Sequence, residues 1–173
     1  PGSVGSRTKF PVSISSKTPV VNVDKVLDNM WHGFIKCKVE GYNVIVLHLN
    51  PHLYEARRRE IRTVLETVKQ SGPFEKWIIM GDFNTVSPLD SAVYADGKYL
   101  QRKKEQEKVH TRNNNLPDGQ LDFAVSQAIL DFGFVDAGWA DRENYRKDGF
   151  TRRIDFIYVS PYLRDRIVSC RYI

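Results

Sequence analysis

The chain is poor in cysteine, with only Cys37 and Cys170 among its 173 residues. Two cysteines so far apart exclude the dense disulfide framework of a small secreted scaffold. Each lies in a segment where apolar and polar residues alternate, a pattern typical of strands. We therefore expect two buried free thiols, with a single disulfide as the alternative.

Long apolar runs are missing as well. No stretch approaches the roughly 18 residues that a membrane helix needs, and residues 1–9 lack the apolar core of a signal peptide. There are no internal repeats and no low-complexity tracts. The sequence predicts one soluble domain over 1–173. Its opening Pro1-Gly2-Ser3 resembles the edge of a fragment. The sequence therefore leaves the cellular compartment undetermined, with a secreted or periplasmic protein as one option.

Positive charge exceeds negative charge, giving a net charge of +5 and a pI near 9.2. This excess fits a phosphate-bearing partner, as it also fits many basic proteins of other kinds. A long basic stripe interleaved with aromatic residues is absent, which argues against a dedicated nucleic-acid surface. The arginine run at 57–59 has glutamates nearby and indicates a solvated helix face.

Periodicity of the apolar residues predicts the secondary structure. Strands are expected at 12–15, 31–39, 42–49, 77–80 and 153–160. The turn Glu40-Gly41 joins two of them into a hairpin. Helical spacing predicts helices over 53–69 and 121–132, and the polar stretch 87–118 is expected to be a surface excursion, with a short helix as an option. Strand, helix and strand in this order indicate an α/β layer arrangement.

The sequence Gly-Asp-Phe-Asn at 81–84 directly follows the apolar run at 77–80. A strand of this kind is buried on both faces and ends at the carboxyl edge of a sheet, where Asp82 and Asn84 point the same way. His48 and Asp155 lie at or near the ends of two other predicted strands. Three strands therefore present polar groups at or near their ends.

These residue types suit phosphate-ester hydrolysis. A carboxylate aligns or deprotonates a water, an amide orients that water or a phosphoryl oxygen, and a histidine donates to the developing phosphorane. Purely structural roles are the alternative. Residues 81–84 could be a strand exit with an Asx turn, and His48 could be a core histidine whose hydrogen bonds are all satisfied. A zinc pair of His48 and His52 is discounted because Pro51 separates them.

Three segments occur in a characteristic order: Val-Ile-Val-Leu-His-Leu-Asn at 44–50, Met-Gly-Asp-Phe-Asn at 80–84, and Phe-Thr-Arg-Arg-Ile-Asp-Phe-Ile at 150–157. This set closely resembles the second half of the endonuclease/exonuclease/phosphatase superfamily, which has the deoxyribonuclease-I-like fold. The segments 10–20, with Ser-Lys-Thr-Pro at 16–19, and 133–136 resemble further parts of that family. Ser-Pro-Leu-Asp at 87–90 and Leu-Pro-Asp-Gly at 116–119 are similar to its bacterial members.

The resemblance implies a four-layered α/β/β/α sandwich, two mostly antiparallel sheets with helices outside and the active site at one rim. It implies that Asp82 aligns or activates the attacking water and that Asn84 orients phosphate and nucleophile. His48 would contact the scissile phosphate or act as an acid, and Asp155 would orient a catalytic histidine. Arg153 and Asn50 are further candidates for substrate contact, Arg153 with pairing to a carboxylate as its alternative.

The resemblance also implies Mg²⁺, or Mn²⁺, with Asp82 and Asn84 as contributing ligands. The family's main metal ligands, an Asn and a Glu from its first two strands, have no counterpart here, and the closing Ser-Asp-His motif does not occur. We therefore expect a partial domain of roughly two thirds of a typical member. The principal ligands are expected outside these residues or in a partner chain.

Two functions follow as hypotheses. The first is a divalent-metal-dependent phosphohydrolase that cleaves a phosphoester or phosphodiester by in-line attack of water. Its substrate would be a nucleic acid, a phospholipid head group or a sugar phosphate. The second is a non-catalytic binding or scaffold module that keeps the fold without the metal site.

Overall fold

The computed structural model describes residues 2–4, 11–141 and 152–170, the first of these as backbone alone. The described residues form eight strands: β1 (Gly2–Val4), β2 (Val12–Ile14), β3 (Val20–Val26), β4 (Phe34–Val39), β5 (Tyr42–His48), β6 (Trp77–Asp82), β7 (Val135–Asp136) and β8 (Asp155–Val159). They form four α-helices: α1 (Tyr54–Gln70), α2 (Lys98–Val109), α3 (Ala124–Asp131) and α4 (Ala137–Ala140). Short 3-10 helices cover Pro88–Tyr94, Pro117–Gly119 and Pro161–Arg166.

Six strands form one mixed sheet in the order β3-β4-β5-β6-β8-β7, and β1 pairs with β2 in a second, antiparallel sheet. The predicted hairpin is confirmed, since Val39 pairs with Tyr42 across a turn in which Glu40 and Gly41 both have positive φ. Strands β5 and β6 run parallel, with α1 between them in the chain. Their carboxyl ends therefore meet at the same edge of the sheet.

Each face of the large sheet is covered by a different layer. On one face, Ile45 and Ile79 pack in a cluster with Ile61 and Val64 of α1 and Ile129 of α3. On the other face, Val12 and Ile14 of β2 pack against Ile35, Cys37 and Val44. The described residues thus form helix, sheet and sheet layers, three of the four layers expected of the sandwich, and the α/β fold class is confirmed.

Two elements escape the sequence patterns for physical reasons. The residues of β3 are mostly exposed, so its edge position imposes no alternation of apolar and polar side chains. Helix α2 confirms the helix left as an option within the polar excursion, but none of its 12 residues is buried, so no apolar stripe marks its bounds. The helix predicted over 121–132 is shorter, at Ala124–Asp131.

Both cysteines are free, as expected, with Cys37 buried and Cys170 partly buried. The strand predicted from residue 31 begins only at Phe34, because Gly33 has a φ of 82° that does not fit a strand. Among the described residues, every helix is too short or too polar to span a bilayer.

Candidate active site at the carboxyl edge of the sheet

Strand register places three of the predicted site residues in one row. His48 pairs with Asp82 across the parallel β5 and β6, and Asp82 pairs with Asp155 across the antiparallel β6 and β8. Residues directly opposite each other in a sheet project from the same face. The Nε2 atom of His48 lies 3.7 Å from Oδ2 of Asp82, and their side chains are 27% and 29% exposed. The row is therefore open enough for a ligand to reach it.

The turn at 81–84 fixes the orientation of Asp82 and Asn84. Oδ1 of Asp82 accepts a hydrogen bond of 2.7 Å from the backbone N–H of Asn84, whose φ is 50°. The side-chain amide of Asn84 donates to the carbonyl of Leu49 at 3.0 Å. The Asx turn expected as the structural alternative is thus present. It holds one carboxylate oxygen of Asp82 and leaves the other, Oδ2, on the side of His48.

Gly81 is required where β6 passes closest to β5. Its φ is 139°, and a Cβ placed there would lie 2.0 Å from the carbonyl oxygen of Leu47. A side chain at this position would push the two strands apart, one residue before the row. The glycine therefore sets the spacing between His48 and Asp82.

Burial raises the pKa of both carboxyls in the row, and like charge adds to the rise for Asp82. For Asp82, burial has the largest effect, the charge of Asp155 adds to it, and the Asn84 N–H, His48 and Arg152 oppose it. Burial also raises the pKa of Asp155, against the charges of His48 and Arg152. Two neighbouring carboxylates with raised pKa favour proton uptake or a nearby cation. Perturbed acids in a cleft are typical of catalytic sites.

A second histidine, for which no sequence motif predicts a role, packs against the row. The ring of His32 stacks on that of His48 with centroids 3.9 Å apart and planes within 12°. His32 is buried and lies just before β4. Counting the pairing back from the Glu40-Gly41 turn places Gly33 opposite His48, so the hairpin alone could have put His32 beside the site.

Asn50, expected to contact substrate, is instead buried in an Asx turn that precedes α1. It is only 2% exposed, and its Oδ1 accepts from the backbone N–H groups of His52 and Leu53 at 2.8 and 2.9 Å. Its own N–H donates to Oε2 of Glu60 at 2.7 Å. These bonds fix the path from β5 into α1.

The structure also corrects the expectation for Arg153, which is 2% exposed and bound to two carboxylates. Its Nε donates to Asp90 at 2.7 Å, and its two terminal nitrogens contact Asp136 at 2.8 and 2.6 Å. The carboxylate pairing that the sequence left as the alternative is therefore what forms. The neighbouring Arg152 is instead the arginine whose charge acts on Asp82 and Asp155.

The predicted metal ligands fit as part of a site. No group of three or more His, Cys, Asp and Glu side chains within 11–141 and 152–170 is arranged to hold a metal. Asp82 and Asn84 nevertheless offer the oxygen ligands that Mg²⁺ prefers, and Mg²⁺ commonly uses one or two protein carboxylates with water and phosphate oxygens. The raised pKa of Asp82 and Asp155 shows that their charged forms are disfavoured, and a nearby cation would stabilise those forms.

Comparisons with known proteins bear on the family and the fold. The model of the endonuclease/exonuclease/phosphatase family matches residues 3–171. Among solved structures, the chain is similar to an AP endonuclease from Archaeoglobus fulgidus, with a TM-score of 0.59, 20% identity, and coverage of 87% of this chain and 62% of that one. At this identity the likeness shows the fold, and the chain spans 62% of that enzyme's length.

Two further structures are similar at lower scores. One is an endonuclease/exonuclease/phosphatase family protein from Bacteroides thetaiotaomicron, with a TM-score of 0.41, 21% identity, and coverage of 75% of this chain and 40% of that one. The other is truncated TDP2 from Caenorhabditis elegans, with a TM-score of 0.38, 16% identity, and coverage of 86% and 56%. No curated protein sequence matches the chain.

Proposed function

The chain belongs to the endonuclease/exonuclease/phosphatase family, and on that basis we propose that it is a divalent-metal-dependent phosphohydrolase. It would cleave a phosphoester or phosphodiester by in-line attack of water. The observation that carries the proposal is the row of His48, Asp82 and Asp155, at the carboxyl ends of β5 and β6 and the amino end of β8. The convergence of an imidazole and two carboxylates with Asn84 supplies the groups that this reaction needs.

Each side chain has a role that follows from its position. Oδ2 of Asp82 orients the attacking water and accepts its proton, because Oδ1 is held by the Asn84 N–H. Asn84 orients the phosphoryl group without adding negative charge. His48 donates to a phosphoryl oxygen, and the stacked ring of His32 holds its imidazole in place.

The metal would be held in part by Asp82 and Asn84, with Asp155 beside them. When bound, a divalent cation supplies charge stabilisation to the phosphoryl oxygens. Mg²⁺ and Mn²⁺ both accept these oxygen ligands. The residues of this chain then position the water and the phosphate around it.

Hydrolysis of bis-p-nitrophenyl phosphate by the complete native protein tests the proposal. We expect activity with Mg²⁺ or Mn²⁺, none with EDTA, and a loss of about 10²–10⁴-fold in Asp82→Ala with an unchanged circular dichroism spectrum. The control Asp131→Ala removes an exposed acid of α3 and should leave the rate unchanged. A folded wild-type protein that is inert with every divalent metal would overturn the proposal in favour of a non-catalytic module of the same fold.

A further inference from the structure

A narrow pocket lies directly beside the candidate active site. Asn84 forms part of its wall, together with Arg57 of α1, Tyr99 and Lys103 of α2, and Asn115. Its free volume is about 20 Å³, space for a water-sized group. An oxygen of an anionic group fits such a pocket, whereas a base or sugar ring does not.

The most buried cation of this pocket is Arg57. The sequence predicted a solvated arginine, but Arg57 is 2% exposed. One of its terminal nitrogens, Nη1, donates to the carbonyl of Asn50 at 3.1 Å and to the side-chain oxygen of Asn115, and both acceptors are neutral. Its Nε has no hydrogen-bond partner among the described residues. A buried guanidinium with neutral partners retains the capacity to bind an anion.

Two further cations extend from the pocket to the active site. The Nζ of Lys103 and the guanidinium carbon of Arg152 each lie 5.8 Å from the centroid of the Tyr99 ring. Burial lowers the pKa of Lys103, and the charges of Arg152, Arg57 and Arg102 lower it further, which shows that positive charge is crowded here. Arg152 also acts on the carboxyls of Asp82 and Asp155.

The acidic residues near the pocket are each bonded to other groups, although Oδ2 of Asp122 has no hydrogen-bond partner among the described residues. Asp122 lies in the wall and forms an ion pair of 2.8 Å with Arg58. Glu60 accepts backbone N–H bonds from Trp31 and Asn50, and Glu107 accepts one from Asn115. The charges of Asp122 and Glu60 also act on Arg57. The four cations Arg57, Arg58, Lys103 and Arg152 still outnumber these three acidic residues.

We propose that the pocket is a subsite for a second phosphoryl group of the substrate, next to the one that is hydrolysed. The inference rests on the proposed function, because Asn84 is shared by both sites. The preferred substrate is then a phosphodiester that carries an additional phosphate within one nucleotide-sized step. Arg57, Lys103 of α2 and Arg152 would bind this additional phosphate and so determine the preference for it.

Binding of two dinucleotides tests the subsite without catalysis. The thymidine dinucleotide with a 5′-phosphate and the same dinucleotide without it are titrated calorimetrically into the metal-free protein. We expect the phosphorylated form to bind about tenfold more tightly, the contribution of one charge-assisted contact. Lys103→Met should reduce the ratio to about one, and Lys103→Arg should retain it.

A matched control lies on the same helix. Lys108→Met removes an exposed lysine of α2 and should keep the tenfold ratio. Equal affinities for the two dinucleotides, no binding of either, or an unchanged ratio in Lys103→Met would each overturn the subsite.

Hydrolysis of the same pair in Mg²⁺ separates this proposal from the broader one. We expect kcat/KM to favour the phosphorylated dinucleotide by about the same factor. Cleavage of both at equal rates with equal affinities would overturn the subsite and leave the hydrolase standing. A tenfold binding preference without cleavage of either dinucleotide in any divalent metal would overturn the hydrolase and leave the subsite standing.

Discussion

Gly81 shows how one residue controls the geometry of the site. It allows β6 to pass within contact of the Leu47 carbonyl, so that His48 and Asp82 become neighbours in the sheet. Any other residue would place a Cβ inside the van der Waals distance of that oxygen.

Gly81→Ala should therefore lower the free energy of unfolding by about 4 kcal/mol or more, or prevent folding, because the backbones of β5 and β6 must move apart. Gly41→Ala is the matched control: its φ is also positive, at 81°, but a Cβ there meets nothing within 4 Å. It should lose only about 1–2 kcal/mol through backbone strain. Chemical denaturation measures both, and losses of equal size would contradict the steric explanation.

Asp82 gives a second prediction, about pH. Its pKa is raised in the fold by burial and by Asp155, so the folded state holds the proton more tightly than the unfolded state. The resulting stabilisation is complete below the unfolded value of about 3.9 and is lost as pH rises through the higher folded value. At pH 7, well above the unfolded value, the raised pKa of Asp82 therefore destabilises the folded state.

Asp82→Asn should accordingly be more stable than the wild type at pH 7 in metal-free buffer, and the difference should vanish near pH 3. Its amide oxygen can still accept from the Asn84 N–H. Asp131→Asn, at an exposed position of α3, should change stability at neither pH. Denaturant titrations at the two pH values provide the measurement, and a variant less stable than wild type at pH 7 would refute the prediction.

At the scale of elements, a buried ion-pair cluster joins β8 to its neighbours. Arg153 precedes β8, Asp90 lies in the 3-10 helix Pro88–Tyr94, and Asp136 ends β7. Burial alone would lower the pKa of Arg153, but the hydrogen bonds and charges of Asp136 and Asp90 outweigh burial and raise it. The cluster therefore fixes β8, and with it Asp155, relative to the rest of the sheet.

Arg153→Met should lower the free energy of unfolding by about 3–5 kcal/mol, because two buried carboxylates lose their cation. Arg166→Met, at an exposed position in the last 3-10 helix, should cause little change. Thermal and denaturant unfolding of the two variants compare them directly. A stability of Arg153→Met close to that of the wild type would show that the cluster does not hold β8 in place.

The elements differ in how well the sequence predicts them. Strands β5 and β6 and helix α1 have strong periodicity because they are core elements, and they position His48 and Asp82 as expected. Helix α2 has no buried face, so no apolar stripe in its sequence defines its bounds. Such elements are defined by their tertiary neighbours, which a single sequence does not display.

The same limit applies to the site. The convergence of His48, Asp82 and Asp155 could be predicted because each lies at or near a strand end. Arg57, His32 and the pairing of Arg153 with two carboxylates depend on which segments meet in space. The arginine run at 57–59 has one pattern in the sequence, yet only Arg57 points into the interior.

At the scale of the whole molecule, the large sheet acts as a platform. Its helix-covered face provides most of the core. The polar row lies at the edge where β5 and β6 end, and the cationic pocket lies beside it. Arg57, Lys103 and Arg152 place positive charge beside this row, on the side where an anionic substrate would approach. The platform and the row together suggest that His48 and Asp82 act on one phosphoryl group.

A double-mutant cycle on kcat/KM for phosphodiester hydrolysis tests that central claim most directly. His48→Ala and Asp82→Ala are each expected to lose about 10²–10⁴-fold. The double variant should lose little more than the worse single variant, because residues that act as a unit are not additive. Losses that multiply in the double variant, or a full rate in either single variant, would show that the two side chains do not work on a common phosphoryl group.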